Sequence, residues 1–186
     1  GVMGILAAIN DEVERGHVAN IILIFAIILV LHSITYNSIP SGFIILTQIA
    51  TATMLSLAYM AIRGVGLNIN TLPVQSVGVG IGVDYGIYIY SRLESFLRAG
   101  LPLQEAYYQT LKSTGKAVLF TGLCLAIGVC TWIFSAIKFQ ADMGLMLTFM
   151  LLWNMFGALW LLPALARFLI KPEKLAGQKG NSLFAH

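Results

Sequence analysis

Five stretches of this sequence, residues 18–36, 39–62, 70–91, 117–137 and 143–166, carry a single formal charge among them, Asp84. Each is about 20 residues long, the length an α-helix needs to cross a hydrocarbon layer roughly 30 Å thick at about 1.5 Å per residue. The whole chain of 186 residues is 58% hydrophobic and 10% charged. Soluble domains carry about 25% charged residues, so this inventory cannot cover a water-exposed surface. The same apolar excess excludes intrinsic disorder. The two cysteines, Cys124 and Cys130, lie in one apolar run and point about 120° apart on a helix, which excludes a disulfide scaffold. The expected fold class is an all-α integral membrane protein of five transmembrane helices.

The loops give an orientation. With five spans the two ends lie on opposite sides, and eight of the 11 basic residues fall on one of them: Arg92, Arg98, Lys112, Lys116, Arg167, Lys171, Lys174 and Lys179. Arg15, Arg63 and Lys138 fall on the other. The excess of basic residues in cytoplasmic loops places the amino end outside and the carboxyl end, with a tail at 170–186, in the cytoplasm. The net charge of +3 is then accounted for by orientation and by contact with anionic membrane lipids, without a nucleic-acid partner. Residues 1–17 combine a short apolar run with Asp11, Glu12 and Glu14 and lack the pattern of a signal peptide, so they read as the end of an extramembrane domain. Between the third and fourth spans, Pro102 suits a first helical turn, and Leu103, Ala106, Tyr107 and Leu111 recur at helical spacing. That pattern predicts an amphipathic helix over about 102–115, lying along the inner face.

The third span holds the chemistry. Taken as residues 72–91, it puts Asp84 about 4 Å from its middle, where an acid costs about 2.5 to 3.5 kcal/mol and marks a path for ions or protons. At about 100° per residue Ser76, Gly80, Asp84, Ile87, Tyr88 and Ser91 share one face, and Gly78, Gly82 and Gly86 form a separate stripe suited to close helix packing. No Lys, Arg or His lies mid-span, so a charged partner for Asp84 has to come from elsewhere. In the fourth span Ala117, Thr121, Cys124, Gly128 and Thr131 make a small and polar seam. The fifth span has Asn154 near its centre with Gly157 one turn on; the second has Gln48, Thr51 and Ser56. Serine and threonine in membrane helices often bond their own preceding carbonyls, which leaves Thr121 and Asn154 as the polar residues most suited to approach Asp84.

The run GVGIGVDYGIYIYSRLES, then AYYQTLKSTGKA, then FTGLCLAIGV and a closing LLPALARFL, resembles the second half of transporters of the RND superfamily, in its MMPL or hydrophobe-exporter branch. Gly82, Val83, Asp84 and Tyr85 match the G-x-D-Y motif of that family. Arg92 and Glu94 match the polar residues that close its helix, and Leu162, Pro163 and Ala164 the end of its last span. Where an acidic pair often ends the motif helix, this chain has the single Glu94 between Leu93 and Ser95. The resemblance implies that the five spans are the eighth to twelfth of a transporter with six in each half. Residues 1–17 would then end its second extracytoplasmic porter domain.

The resemblance further implies export of hydrophobic or lipid-like molecules driven by inward proton flow across the inner membrane. The relay would be Asp84 with Tyr85 and, more loosely, Thr121; Gly78, Gly80, Gly82 and Gly86 would pack around it, and Asn154 would be its polar partner. The implied partners are membrane lipids, the lipid-like substrate, the N-terminal half of the same transporter and, in some members, further copies of the chain. The proton gradient takes the place of any cofactor. The alternative is a sterol-sensing-like module that binds lipid without pumping, separable by whether activity needs the gradient. An enzyme is not expected: His17, His32 and His186 are scattered, and neither a catalytic triad nor a metal-ligand pattern is present. A phosphate-binding loop is also missing, which sets ATP aside as the energy source for this segment.

Overall fold

The computed structural model describes residues 1–36, 39–65 and 72–169, and among them helix is the only regular structure. The α-helices are α1 (Val2–Tyr36), α2 (Ile39–Ile62), α3 (Leu72–Arg98), α4 (Leu103–Thr110), α5 (Lys116–Cys130), α6 (Lys138–Phe156) and α7 (Leu162–Leu169). The tail expected at 170–186 and the first two residues of the expected third span lie outside the described residues.

Two boundaries differ from the sequence reading. Residues 1–17 form no separate unit: α1 runs unbroken from Val2 into the first apolar stretch, because nothing between Gly1 and Val18 breaks a helix. The helix expected to lie along the inner face does not end before the fourth span. Thr110 and Lys116 both keep helical backbone, and a single π-helical turn, Leu111–Gly115, joins α4 to α5. A 3₁₀ turn, Thr131–Phe134, then ends this rod where Ser135 turns extended. The last span is likewise continuous from α6 to α7 through a second π turn, Gly157–Leu161.

Among the described residues four helical rods are long and apolar enough to cross a membrane: Val2–Tyr36, Pro40–Ile62, Leu103–Phe134 and Lys138–Phe168. The 27 residues of α3 are long enough, but its glycines and Asp84 dilute the apolar content below that of the other four. Yet α3 is central, packing against α2, α6 and α4, while α1 rests on α2 and α5 on α6. Ile44, Ile45, Ile49, Ile89, Met150 and Met155 fill the space between them. Large apolar side chains also point outward, among them Leu23, Ile27, Leu31, Phe120 and Ile127. In water such a surface would aggregate; against lipid tails it costs nothing.

Where α1 ends, polar and aromatic groups tie it to α3. Tyr36 hydrogen-bonds Ser91, meets Tyr90 edge-on at 5.0 Å and stacks on His32 at 5.5 Å. One turn past the expected span, Glu94 is buried and its Oε1 accepts from Arg98 Nε at 2.7 Å and Nη2 at 2.5 Å. Burial raises the Glu94 carboxyl above its usual range, with Arg98 opposing. A carboxyl that holds its proton more tightly in the folded state contributes stability below its unfolded pKa and loses it as pH rises through the folded value. Stability of the intact protein in detergent should therefore fall as pH rises above about 4.5, the ordinary glutamate value. Glu94→Gln should flatten that slope; thermal melts of both forms across pH 4 to 8 check it.

Candidate functional site

The motif helix α3 has two sides with opposite fates. Gly78, Gly82 and Gly86 are buried, and each receives a side chain where its own Cβ would be. Met150 sits over Gly78; the Asn154 amide lies 2.7 Å from the Cβ position of Gly82; Gln48 Oε1 lies 2.8 Å from that of Gly86. Gly157 admits the stem of the same Gln48, 3.1 Å from its Cβ position. Absent side chains on α3 and α6 thus let two buried amides lie between three helices.

These amides are hydrogen-bonded in sequence. Asn154 Nδ2 donates to the Gly78 carbonyl at 2.6 Å, and Gln48 Nε2 donates to the Asn154 carbonyl at 3.3 Å. Asn154 Oδ1 and Gln48 Oε1 are buried without a partner. A similar link lies nearer the other end of α2, where Gln75 Nε2 donates to Ser56 Oγ at 3.2 Å. Asn154 and Gln48 were visible in the sequence as polar residues in apolar spans; their mutual contact was not.

Asp84 is on the other side. Ser76, Gly80, Asp84 and Tyr88 are all exposed, and nothing lies within 4 Å of the Cβ position of Gly80. Gly80 therefore belongs to the open face and not to the packed stripe. Asp84 makes no hydrogen bond or ion pair with another described residue. Tyr85, one step round the helix, is buried in the core with its hydroxyl unpartnered. Thr121 is exposed on α5 beside the equally open Cys124 and Gly128. Asn154 faces the glycine stripe, away from Asp84. Within this chain, then, Asp84, Tyr85, Thr121 and Asn154 are not joined by hydrogen bonds. What the arrangement offers chemically is an exposed carboxyl at mid-helix. No group of three or more His, Cys, Asp or Glu side chains among the described residues could hold a metal ion.

A family model described as the MMPL family matches residues 1–180. The chain belongs to the MMPL family. Among curated relatives, membrane protein YdfJ of Bacillus subtilis is 28% identical over 156 residues, which is 82% of this chain and 21% of that protein. The sulfolipid-1 exporter MmpL8 of Mycobacterium tuberculosis is 29% identical over 109 residues, 58% of this chain and 10% of that protein. The probable transport protein MmpL9 of the same species is 27% identical over 168 residues, 85% of this chain and 18% of that protein. The chain thus spans about a fifth or less of the length of these three relatives. The MMPL family is one of transporters and not of enzymes, and the chain is a multi-pass membrane module of it.

The two faces of α3 separate experimentally. Gly82→Leu drives a side chain into an amide held by a hydrogen bond and should destabilise the MMPL module by about 1–3 kcal/mol, the usual cost of overpacking. Gly80→Leu meets open space in this chain and should leave its helix packing unchanged. Detergent thermal melts of the two variants give the comparison.

Proposed function

We propose that this chain is part of the membrane-embedded motor of a proton-driven exporter of hydrophobic or lipid-like molecules, with Asp84 as its proton-carrying group. The observation behind this reading is the placement of one carboxyl, unpaired among the described residues, on the open face of a helix whose other face is already packed. An acid left against lipid tails is disfavoured, so that face calls for a polar cover or an aqueous path. The N-terminal half of the transporter is the cover we propose. Its own G-x-D-Y helix would meet the Ser76, Gly80 and Asp84 stripe, with the open seam of Thr121 nearby. Tyr85, its hydroxyl buried and unpartnered, would be reached only after α3 turns or shifts. The described geometry is then one state of the relay.

The physical cycle follows from solvation. In a dry environment a carboxyl favours its neutral form, and contact with water or a cation favours the charged one. Protonation of Asp84 removes the need for polar cover and lets α3 repack; deprotonation restores it. Each proton crossing 100 mV supplies about 2.3 kcal/mol, enough to bias a helix packing with two states. In this reading the amino end of the chain is outside the inner membrane and the carboxyl end is in the cytoplasm. The names of the MmpL8 relatives support a lipid-like cargo.

Asp84→Asn in the intact protein tests the reading. Asp84 is exposed, so the neutral amide should leave folding and membrane insertion intact while export into the outer compartment of gradient-energised proteoliposomes falls to background. A protonophore should give the same loss with the unsubstituted protein. Export that persists in both cases overturns the proton-driven reading, and lipid binding without any export by the unsubstituted protein leaves the lipid-binding module.

A further inference from the structure

The cytoplasm-facing end of the bundle, as oriented above, carries a groove that the proton relay does not use. It lies between α4 and the second π turn with α7, encloses a cavity of about 620 Å³, and is lined by Leu103, Gln104, Tyr107, Trp160, Pro163, Ala164 and Arg167. Trp160, Pro163, Ala164 and Arg167 recur at steps of three, one and three, so they line one flank as a single stripe. The floor is fixed in place: the Tyr107 hydroxyl donates to the Leu159 carbonyl at 2.9 Å, in the π turn that also carries Trp160. That turn packs on the other one, with Leu159 Cδ2 at 3.5 Å from the Cβ position of Gly115.

We propose that this groove is a binding site for one anionic phospholipid of the surrounding leaflet, its phosphate on Arg167 and Gln104 and an acyl chain along Trp160, Pro163 and Ala164. Three observations select that occupant. Arg167 is the one charged residue among the lining side chains, and it is exposed, so the site favours an anion. The polar and apolar parts are ordered along the helix: seven residues separate Trp160 from Arg167, about 10 Å, which spans the step from acyl chains to phosphate in a leaflet whose polar layer is several ångströms deep. Trp160 is exposed and Tyr107 lines the groove with it, in keeping with the enrichment of Trp and Tyr near the membrane–water boundary.

The site is independent of the proton reading, since it shares no residue with Asp84 or its face. The test uses the intact protein in nanodiscs of dioleoylphosphatidylcholine doped with dioleoylphosphatidylglycerol, reading lipid retained by native mass spectrometry after mild delipidation. The unsubstituted protein should retain phosphatidylglycerol in preference to phosphatidylcholine at about one lipid per chain. Arg167→Gln should lower that preference about fivefold, the weight of one basic residue at a membrane surface, and Arg167→Lys should keep most of it. Arg63→Gln, a basic residue remote from the groove, should leave it unchanged. Trp160→Ala should reduce retention of both lipids, with unchanged helicity by circular dichroism showing that the fold is intact. Equal retention of the two lipids by the unsubstituted protein, or an unaltered preference in Arg167→Gln, overturns the proposal. So does displacement of the bound lipid by millimolar inorganic phosphate, which would reduce the site to a simple anion contact.

Discussion

The packing of the module rests on the approach of three helices at Gly78, Gly82 and Gly86. Lipid tails are as apolar as leucine, so helices in a membrane gain nothing from hiding apolar side chains from water. What holds them is close van der Waals contact and the hydrogen bonds that become possible at short range. Each of these three glycines admits a partner that a methyl group would exclude, and two of those partners are amides. The bonds from Asn154 to Gly78 and from Gln48 to Asn154 then tie α2, α3 and α6 together, where an unsatisfied amide would otherwise face hydrocarbon.

That same stripe decides which side of α3 is left over. A helix packed through one flank presents the other, and the other bears Ser76, Gly80 and Asp84. The carboxyl is on the outside of this bundle as a result of where the small residues are. Helix packing and the proposed proton site thus lie on opposite flanks of one helix.

Much of the architecture was legible in the chain. Stretches free of charge located the membrane-crossing rods because hydrocarbon punishes charges so strongly, and the motif around Asp84 pointed to the family that the comparisons show. Helical periodicity also put Gly80 on the Asp84 face and Gly82 in the packed stripe. What it could not supply is the side chain that fills the stripe, which for Gly82 arrives from 72 residues away, at Asn154. The joins were hidden for another reason. Amphipathic spacing over 102–115 is the same whether that helix lies flat or runs on into the next span, since the π turn at Leu111–Gly115 breaks no hydrogen-bonding rule that a sequence displays. The same holds at Gly157–Leu161, where the extra residue per turn rotates the face that Trp160 and Arg167 present.

The unbroken rod Leu103–Phe134 has a mechanical meaning. Its 32 residues extend roughly 48 Å, more than the thickness of the hydrocarbon layer. A beam of that length is held at both ends, where Tyr107 donates to the Leu159 carbonyl and where Trp132 packs over Gly144. A twist entering at either end is passed along the shaft, and the place that can take it up is the π turn, where the winding is already loosened.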